Sequence, residues 1–385
     1  MAEVFGQVTE QYREVRDALA ANLDAGVEVG AGIVVNVDGT NVVDIWGGHM
    51  DAERTRPWTE DTIVTVWSTT KTITSLAALM LVDRGLLDPF ETVAHYWPEF
   101  AAGGKEHVEV RHLLSHTSGV SAWAQPFAPE DSYNFAAAAA KLAAQPPWWE
   151  PGTASGYHAS NFGHLVGEVV RRVSGKSLRD FVADEIAGPL GADFQIGAKE
   201  ADWDRIATML PPAGTATLEM PAPDPDSVFY KTLVGSYNDP TLANTPQWYR
   251  ADIGACNGHG NARSVAQIMS VISLGGETNG VRLLKPETIE LIFREQAHGP
   301  DLFLGLPLRW GIGYALPEPE GVPFVPAGKV CFWGGWGGSL IIMDVDRRMT
   351  ISYMMNQMQP GVIGSEVSAA YCDVISRCAS AVVAR

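Results

Sequence analysis

The chain has 385 residues, 46% hydrophobic and 19% charged, with a net charge of −18. That is enough apolar material for a sizeable core in one bilobed unit or two domains, and no stretch has the uninterrupted apolar length of a membrane span. The acidic excess disfavours nucleic acid and anionic membrane surfaces, whose attraction needs surplus Lys and Arg, and keeps small neutral substrates open.

In chain order, MAEVFGQVTEQYREVRDALAANL carries scattered charges and no apolar run of the kind a signal peptide needs. Val8, Tyr12, Val15, Leu19 and Leu23 recur at helical spacing, which predicts an amphipathic helix packed on a sheet. GAGIVVNVDGTNVVDIWGG follows, two β-branched runs joined at Asp38-Gly39, the dipeptide that type I′ hairpin turns favour.

Positions 67–74 read WSTTKTIT. Downstream, Ile73, Leu76, Ala77, Met80 and Leu81 keep a helical period, and Gly85 suits a C-terminal stop, so 68–84 is predicted as a helix. The i, i+3 spacing puts the Ser68 hydroxyl and the Lys71 amine one turn apart on one face, where the helix dipole favours developing negative charge. That geometry suits a nucleophile and its base, but a polar helix start with a solvated lysine fits the stretch equally well. An ordinary lysine has a pKa of about 10.4, so a basic role near neutral pH needs a shift of roughly three units, about 4 kcal/mol, which burial can supply.

Beyond this helix the patterns stay mostly helical to about residue 190. Residues 199–250 are rich in Pro, Asp and Thr without clear period, as expected of a loop covering a cleft. Near the C-terminus KVCFWGGWGGSLIIMDVDRRMTISYMMNQM reads as two strand-like runs around an Asp346-Arg347-Arg348 turn, followed by the helical SEVSAAYCDVISRCASAVVA. The implied fold is α/β (α+β): an antiparallel sheet flanked by N- and C-terminal helices, formed by 1–66 with 232–385, beside a mostly helical lobe at 67–231. The active site is expected in the crevice between them. Cys256, Cys331, Cys372 and Cys378 show no C-x-x-C spacing and read as buried reduced thiols; without an export signal, a cytoplasmic location is expected.

Three further stretches, HLLSHTSG at 112–119, PGTASGYHASNFGHLVGEVV at 151–170 and FWGGWGGS at 332–339, complete a pattern with Ser68 and Lys71. Their order and spacing resemble the serine β-lactamase and penicillin-binding protein superfamily, specifically its class C-like esterase branch, the family VIII carboxylesterases. The resemblance implies that Ser68 is the nucleophile, that Lys71 and Tyr157 share its proton, and that the backbone N–H groups of Ser68 and Trp336 form the oxyanion hole. It puts Trp333, Gly334 and Gly335 in the slot of the family's third motif. The family's tyrosine is followed two positions on by an asparagine that helps hold β-lactam amides; here Tyr157 is followed by His158 and Ala159. That loss counts against lactamase activity and leaves ester chemistry intact.

Other sites are weaker. His112 and His116 sit four apart, but Leu113 breaks the H-E-x-x-H pattern and no third ligand is placed, so no metal is expected. Gly175-Lys176-Ser177 lacks the first glycine of a phosphate loop, and no G-x-S-x-G elbow occurs. His158 and Trp123 are expected in the cleft, the latter with Trp148, Trp149, Trp333 and Trp336 as an aromatic wall around a small or medium acyl or alcohol group. The reading is a serine carboxylesterase that needs no cofactor, acts on a small-molecule ester, has no nucleic-acid or membrane partner, and leaves a homo-oligomer open. A β-lactamase, a D-amino-acid peptidase or amidase, or an acyltransferase would use the same groups, and a catalytically inactive binding or assembly relative would keep only the shape.

Overall fold

A computed structural model of the chain describes residues 2–212 and 224–380. The strands are β1 (Val4–Val8), β2 (Gly30–Val37), β3 (Thr40–Gly48), β4 (Val64–Thr65), β5 (Phe194–Ile196), β6 (Gly258–Gly260), β7 (Glu277–Thr278), β8 (Val281–Arg282), β9 (Ala297–Pro300), β10 (Pro307–Trp310), β11 (Ala315–Leu316), β12 (Val330–Gly334), β13 (Leu340–Asp344) and β14 (Met349–Met355). Nine of them make one antiparallel sheet in the order β1-β3-β2-β14-β13-β12-β11-β10-β9, so the two chain ends meet where β2 pairs with β14.

The β2–β3 hairpin turns at Asp38 and Gly39, with φ of 50° and 81° as a type I′ turn requires. The helix Arg13–Asp24 lies on one face of this hairpin, where Leu23 leaves no space for a side chain at Gly47 or Gly48. On the opposite face Ala262, opening the helix Ala262–Ser273, packs 3.6 Å from where a Cβ at Gly32 would lie. Both faces of β2 are therefore covered, and its residues from Gly30 to Asn36 are buried.

The amphipathic N-terminal helix begins later than its periodicity predicts. Residues Val4–Val8 form edge strand β1 on β3, Gly6 takes φ 91°, and only from Arg13 does the α-helix run, burying Val15, Leu19 and Leu23. Val8 falls on the helical period by coincidence, its pairing with β3 outweighing it, while Tyr12 is buried in the 3-10 turn Glu10–Tyr12 that leads into the helix. The C-terminal run likewise yields three strands, β12 to β14, where two are expected, because Gly335–Gly338 break the first run. The segment 199–250 holds short helices, among them Val228–Val234 and Pro246–Arg250, in its described part; residues 213–223 of that expected loop lie outside the described residues.

The helix Thr70–Asp83 ends before Gly85, whose φ is 70°, and it is buried on every side, from Thr70 to Leu81. Its hydroxyls are satisfied inside the protein: Thr74 donates to Gly254 O at 2.7 Å and Ser75 to Gly313 O at 2.8 Å. A helix enclosed this way is rigid, and it carries Lys71 in its first turn. One hydrophobic core joins the sheet and the helices around it. The small sheet β4-β6-β5 likewise draws strands from both expected lobes. Among the described residues no helix is long and apolar enough to cross a membrane. All four cysteines are buried and unpaired.

Candidate active site

Ser68 sits in a single 3-10 turn, Trp67–Thr69, that feeds the buried helix. Trp67 adopts left-handed backbone at φ 48°, which is uncommon for an aromatic residue and must be held by its surroundings. Its ring makes edge-on contacts with Trp248 at 5.5 Å and Trp336 at 5.2 Å between centroids. The turn between β12 and β13 closes against the same point: Ser339 Oγ donates to Val66 O at 2.8 Å, and a Cβ on Gly335 would lie 2.7 Å from that oxygen and 2.9 Å from the Trp67 Cβ. Only glycine permits this approach, and it brings Trp336 to the pocket that Ser68 opens into.

Lys71 is almost completely buried, and its amine has three neighbours: Ser68 Oγ at 2.9 Å, Ala159 O at 2.7 Å and Ala255 O at 3.0 Å. Burial draws this amine down to about 7, with a small opposing pull from Cys256. Two of the neighbours are carbonyls, which can only accept. A neutral amine has two N–H donors and one lone pair, so the carbonyls take the hydrogens and the lone pair is left facing the Ser68 hydroxyl.

Tyr157 is fully buried beside this pair, with the Lys71 amine 4.8 Å from its ring centroid. Burial raises the phenol well above the usual tyrosine range, against the pull of hydrogen bonding from Ser68 and Trp333. Trp333 Nε1–H donates to the phenol oxygen at 3.0 Å. The backbone of Tyr157 is fixed from two sides. Its N–H donates to Asp301 Oδ1 at 3.0 Å, and the next N–H, of His158, donates to His116 Nδ1, also at 3.0 Å. Asp301 further accepts from Ser155 Oγ and from the N–H groups of Phe303 and Leu304, tying the tyrosine loop to the loop that supplies Phe303.

The pocket over Ser68 has a volume of about 230 Å³. Trp67, Tyr157, Ala159, Cys256 and Trp336 line it near the serine, Ser160, Ser236, Tyr237 and Asn238 give it polar groups, and Leu233, Phe303 and Val362 are apolar. A wider polar groove of about 650 Å³, lined by Asn36, Asp44, Trp46 and Arg263 among others, holds none of these groups. Among the described residues, the backbone N–H groups of Ser68 and Trp336 have no protein acceptor.

The structure thus brings Ser68, Lys71, Tyr157 and Trp336 together. Trp333 and Gly334 lie behind the pocket: Trp333 supports the phenol, and a Cβ at Gly334 would meet Gly364 N at 2.7 Å. Of the residues expected in the cleft, His158, Trp123, Trp148 and Trp149 are absent from the pocket lining. His158 is wholly buried, its ring nitrogens 2.6 Å from Ser118 Oγ and 2.6 Å from Gly156 O, and burial draws it down to about 3. Trp123 is also buried, stacked 4.4 Å from Phe127 and donating to Ala138 O. Neither lines the pocket. Asn161, the one amide near the tyrosine motif, donates to Val120 O at 2.9 Å and is absent from the lining too.

Sequence reading missed Asp301, Ala255, Cys256, Leu233, Tyr237 and Phe303. Leu233 comes from the short helix Val228–Val234, and the others from irregular segments that contribute backbone carbonyls, turns or single side chains, none of which leaves a periodic or spaced signal.

The arrangement can make a serine hydroxyl nucleophilic with a buried neutral lysine and hold a protonated phenol beside it. The chain is similar to known esterases and to proteins of the β-lactamase family. The chain is 31% identical over 365 residues to the Esterase/beta-lactamase LipL of Mycobacterium tuberculosis, spanning 92% of this chain and 83% of the relative. It is 27% identical over 384 residues to Esterase EstB of Burkholderia gladioli, spanning 90% and 93% of the two chains. A crystal structure of a family VIII carboxylesterase superposes with a TM-score of 0.91 at 37% identity, covering 98% of this chain and all of that one. Residues 15–370 match the Beta-lactamase family, and with that span, which runs from the first helix to the last and takes in every group around Ser68, the chain belongs to this family.

Proposed function

We propose that this protein is a serine carboxylesterase that hydrolyses small to medium carboxylic esters through an acyl-Ser68 intermediate. The observation that carries the reading is the 2.9 Å contact between Lys71 Nζ and Ser68 Oγ, made by an amine that burial has drawn to about 7. At neutral pH a large share of Lys71 is then unprotonated, with its lone pair toward the hydroxyl.

In the proposed sequence Ser68 Oγ attacks the ester carbonyl as its proton passes to Lys71 Nζ. The tetrahedral oxyanion is held by the N–H groups of Ser68 and Trp336, preorganised by the rigid helix start and the glycine-lined turn. On collapse, the alkoxide leaves with a proton from the Tyr157 phenol, which Lys71 replenishes. The high pKa of this phenol supports a role as proton donor, with Lys71 as the base. A water molecule then gives its proton to Lys71 and attacks the acyl carbon, and Lys71 returns that proton to Ser68 Oγ as the acid leaves. Side chains and backbone N–H groups of this chain carry every proton transfer and charge contact, with water as the second substrate.

The missing amide supports esters over β-lactams. Ala159 stands where the family's motif has asparagine, and its carbonyl is engaged by Lys71. Intact-mass spectrometry tests the reading. After mixing with a slowly deacylating p-nitrophenyl ester, the wild type is expected to gain one acyl group that maps to Ser68, and Ser68→Ala none. Acylation of Ser68→Ala at the wild-type rate would refute it, as would cephalosporin turnover faster than ester turnover.

A further inference from the structure

The pocket over Ser68, at about 230 Å³, falls below the roughly 300–1,000 Å³ that encloses a typical small-molecule ligand. An ester of more than modest size, once its carbonyl reaches Ser68, must extend through the pocket mouth. One side of that mouth is apolar, and the exposed Asn238 adds an amide beside it. A single exposed leucine carries no information, whereas a cluster of exposed apolar side chains does. Leu233 and Val362, 39% and 37% exposed, both line the pocket, and the exposed Leu302 adjoins the pocket residue Phe303.

The helix Val228–Val234 extends this surface outward. Phe229 and Leu233 stand four residues apart, so they share one face, separated by about 6 Å along the axis. Leu233 lines the pocket with Phe303, and the Phe229 ring lies 5.9 Å from the Phe303 ring. An apolar path therefore runs from the Ser68 pocket past Leu233 and Phe303 to Phe229. No lysine or arginine lines the pocket among the described residues, so an anionic group inside it has no cationic partner there; the helix outside carries one cation, Lys231.

We propose that Leu233, Phe303 and Phe229, with Val362 at the same mouth, form a subsite for an unbranched aliphatic chain. The preferred esters then carry a neutral alkyl or acyl tail longer than the pocket alone accommodates. This deepens the carboxylesterase reading and rests on it.

The test compares kcat/KM in two series, p-nitrophenyl acetate against p-nitrophenyl octanoate for an acyl tail, and methyl acetate against octyl acetate for an alcohol tail. In at least one series the longer ester is expected to be favoured about tenfold, mainly through KM. The double variant Phe229→Asp/Leu233→Asp is expected to lower that long-to-short ratio about tenfold, and the milder Phe229→Ser/Leu233→Ser to lower it less, which guards against a folding defect. Flat or falling activity with length in both series would overturn the subsite, as would an unchanged ratio in both variants. If Ser68→Ala retains turnover of p-nitrophenyl acetate, the esterase reading itself fails; if Ser68 is required and length has no effect, only the subsite fails.

Discussion

Two lysines of this chain have almost no exposed surface and differ in the third partner of the amine. Lys71 contacts two carbonyls and the Ser68 hydroxyl. Lys105 donates to three carbonyls, those of Ala102, Ala143 and Gln145. Each amine also lies over an aromatic ring, Tyr157 at 4.8 Å and Phe100 at 5.0 Å. Burial lowers both, Lys71 to about 7 and Lys105 to about 8. Three acceptors match the three hydrogens of an ammonium, so Lys105 is a charged staple that joins the end of the helix Phe135–Ala144 to the turn after Phe100. Two carbonyls and a hydroxyl, which can donate as well as accept, also accommodate a neutral amine whose lone pair faces the hydroxyl. The difference between a structural lysine and a base is thus the third partner, and depth of burial alone does not separate them.

Exchanging each amine for an apolar side chain of similar length should break this comparison in opposite directions. The largest effect is expected for Lys71→Met: steady-state ester hydrolysis should drop by ~100- to 10,000-fold in kcat/KM, the range that a positioned general base contributes. Lys105→Met should keep the activity per folded molecule and lose stability instead. Two buried carbonyls, those of Ala143 and Gln145, left without this donor cost about 2 kcal/mol or more, read as a shift of the denaturant midpoint. Equal activity losses in both variants would mean that burial, and not the serine contact, sets their roles.

Much of this contrast is invisible in the sequence. The i, i+3 spacing of Ser68 and Lys71 and the apolar period behind them give the helix and the pairing. Lys105, in AAGGKEHVEV, has no comparable pattern, because its acceptors are backbone carbonyls, two of them from a helix end some forty residues on. The Asp38-Gly39 hairpin is legible because its dipeptide dictates the backbone. The edge strand Val4–Val8 is not, because its pairing with β3 is non-local and its apolar spacing continues by chance into the helix. Tyr157 is found through its motif, yet the motif does not say that its neighbour His158 turns inward to Ser118. The outer pocket was unreadable for the same reason as Lys105: Leu233, Phe303 and Val362 come from three separated segments that only the fold assembles.

The central claim is that Lys71 is neutral enough at physiological pH to deprotonate Ser68. Because folding lowers the pKa of this lysine, the unfolded chain binds its proton more tightly. Charging it therefore costs stability below about pH 7, and that cost is relieved as pH rises from 7 toward the ordinary lysine range. The most direct test is the pH dependence of kcat/KM for a neutral ester, which reports groups of the free enzyme. An ascending limb with a midpoint near pH 7, absent from the residual activity of Lys71→Met, is the predicted result. A midpoint near that of an ordinary lysine, or a rate independent of pH from 5 to 9, would contradict it.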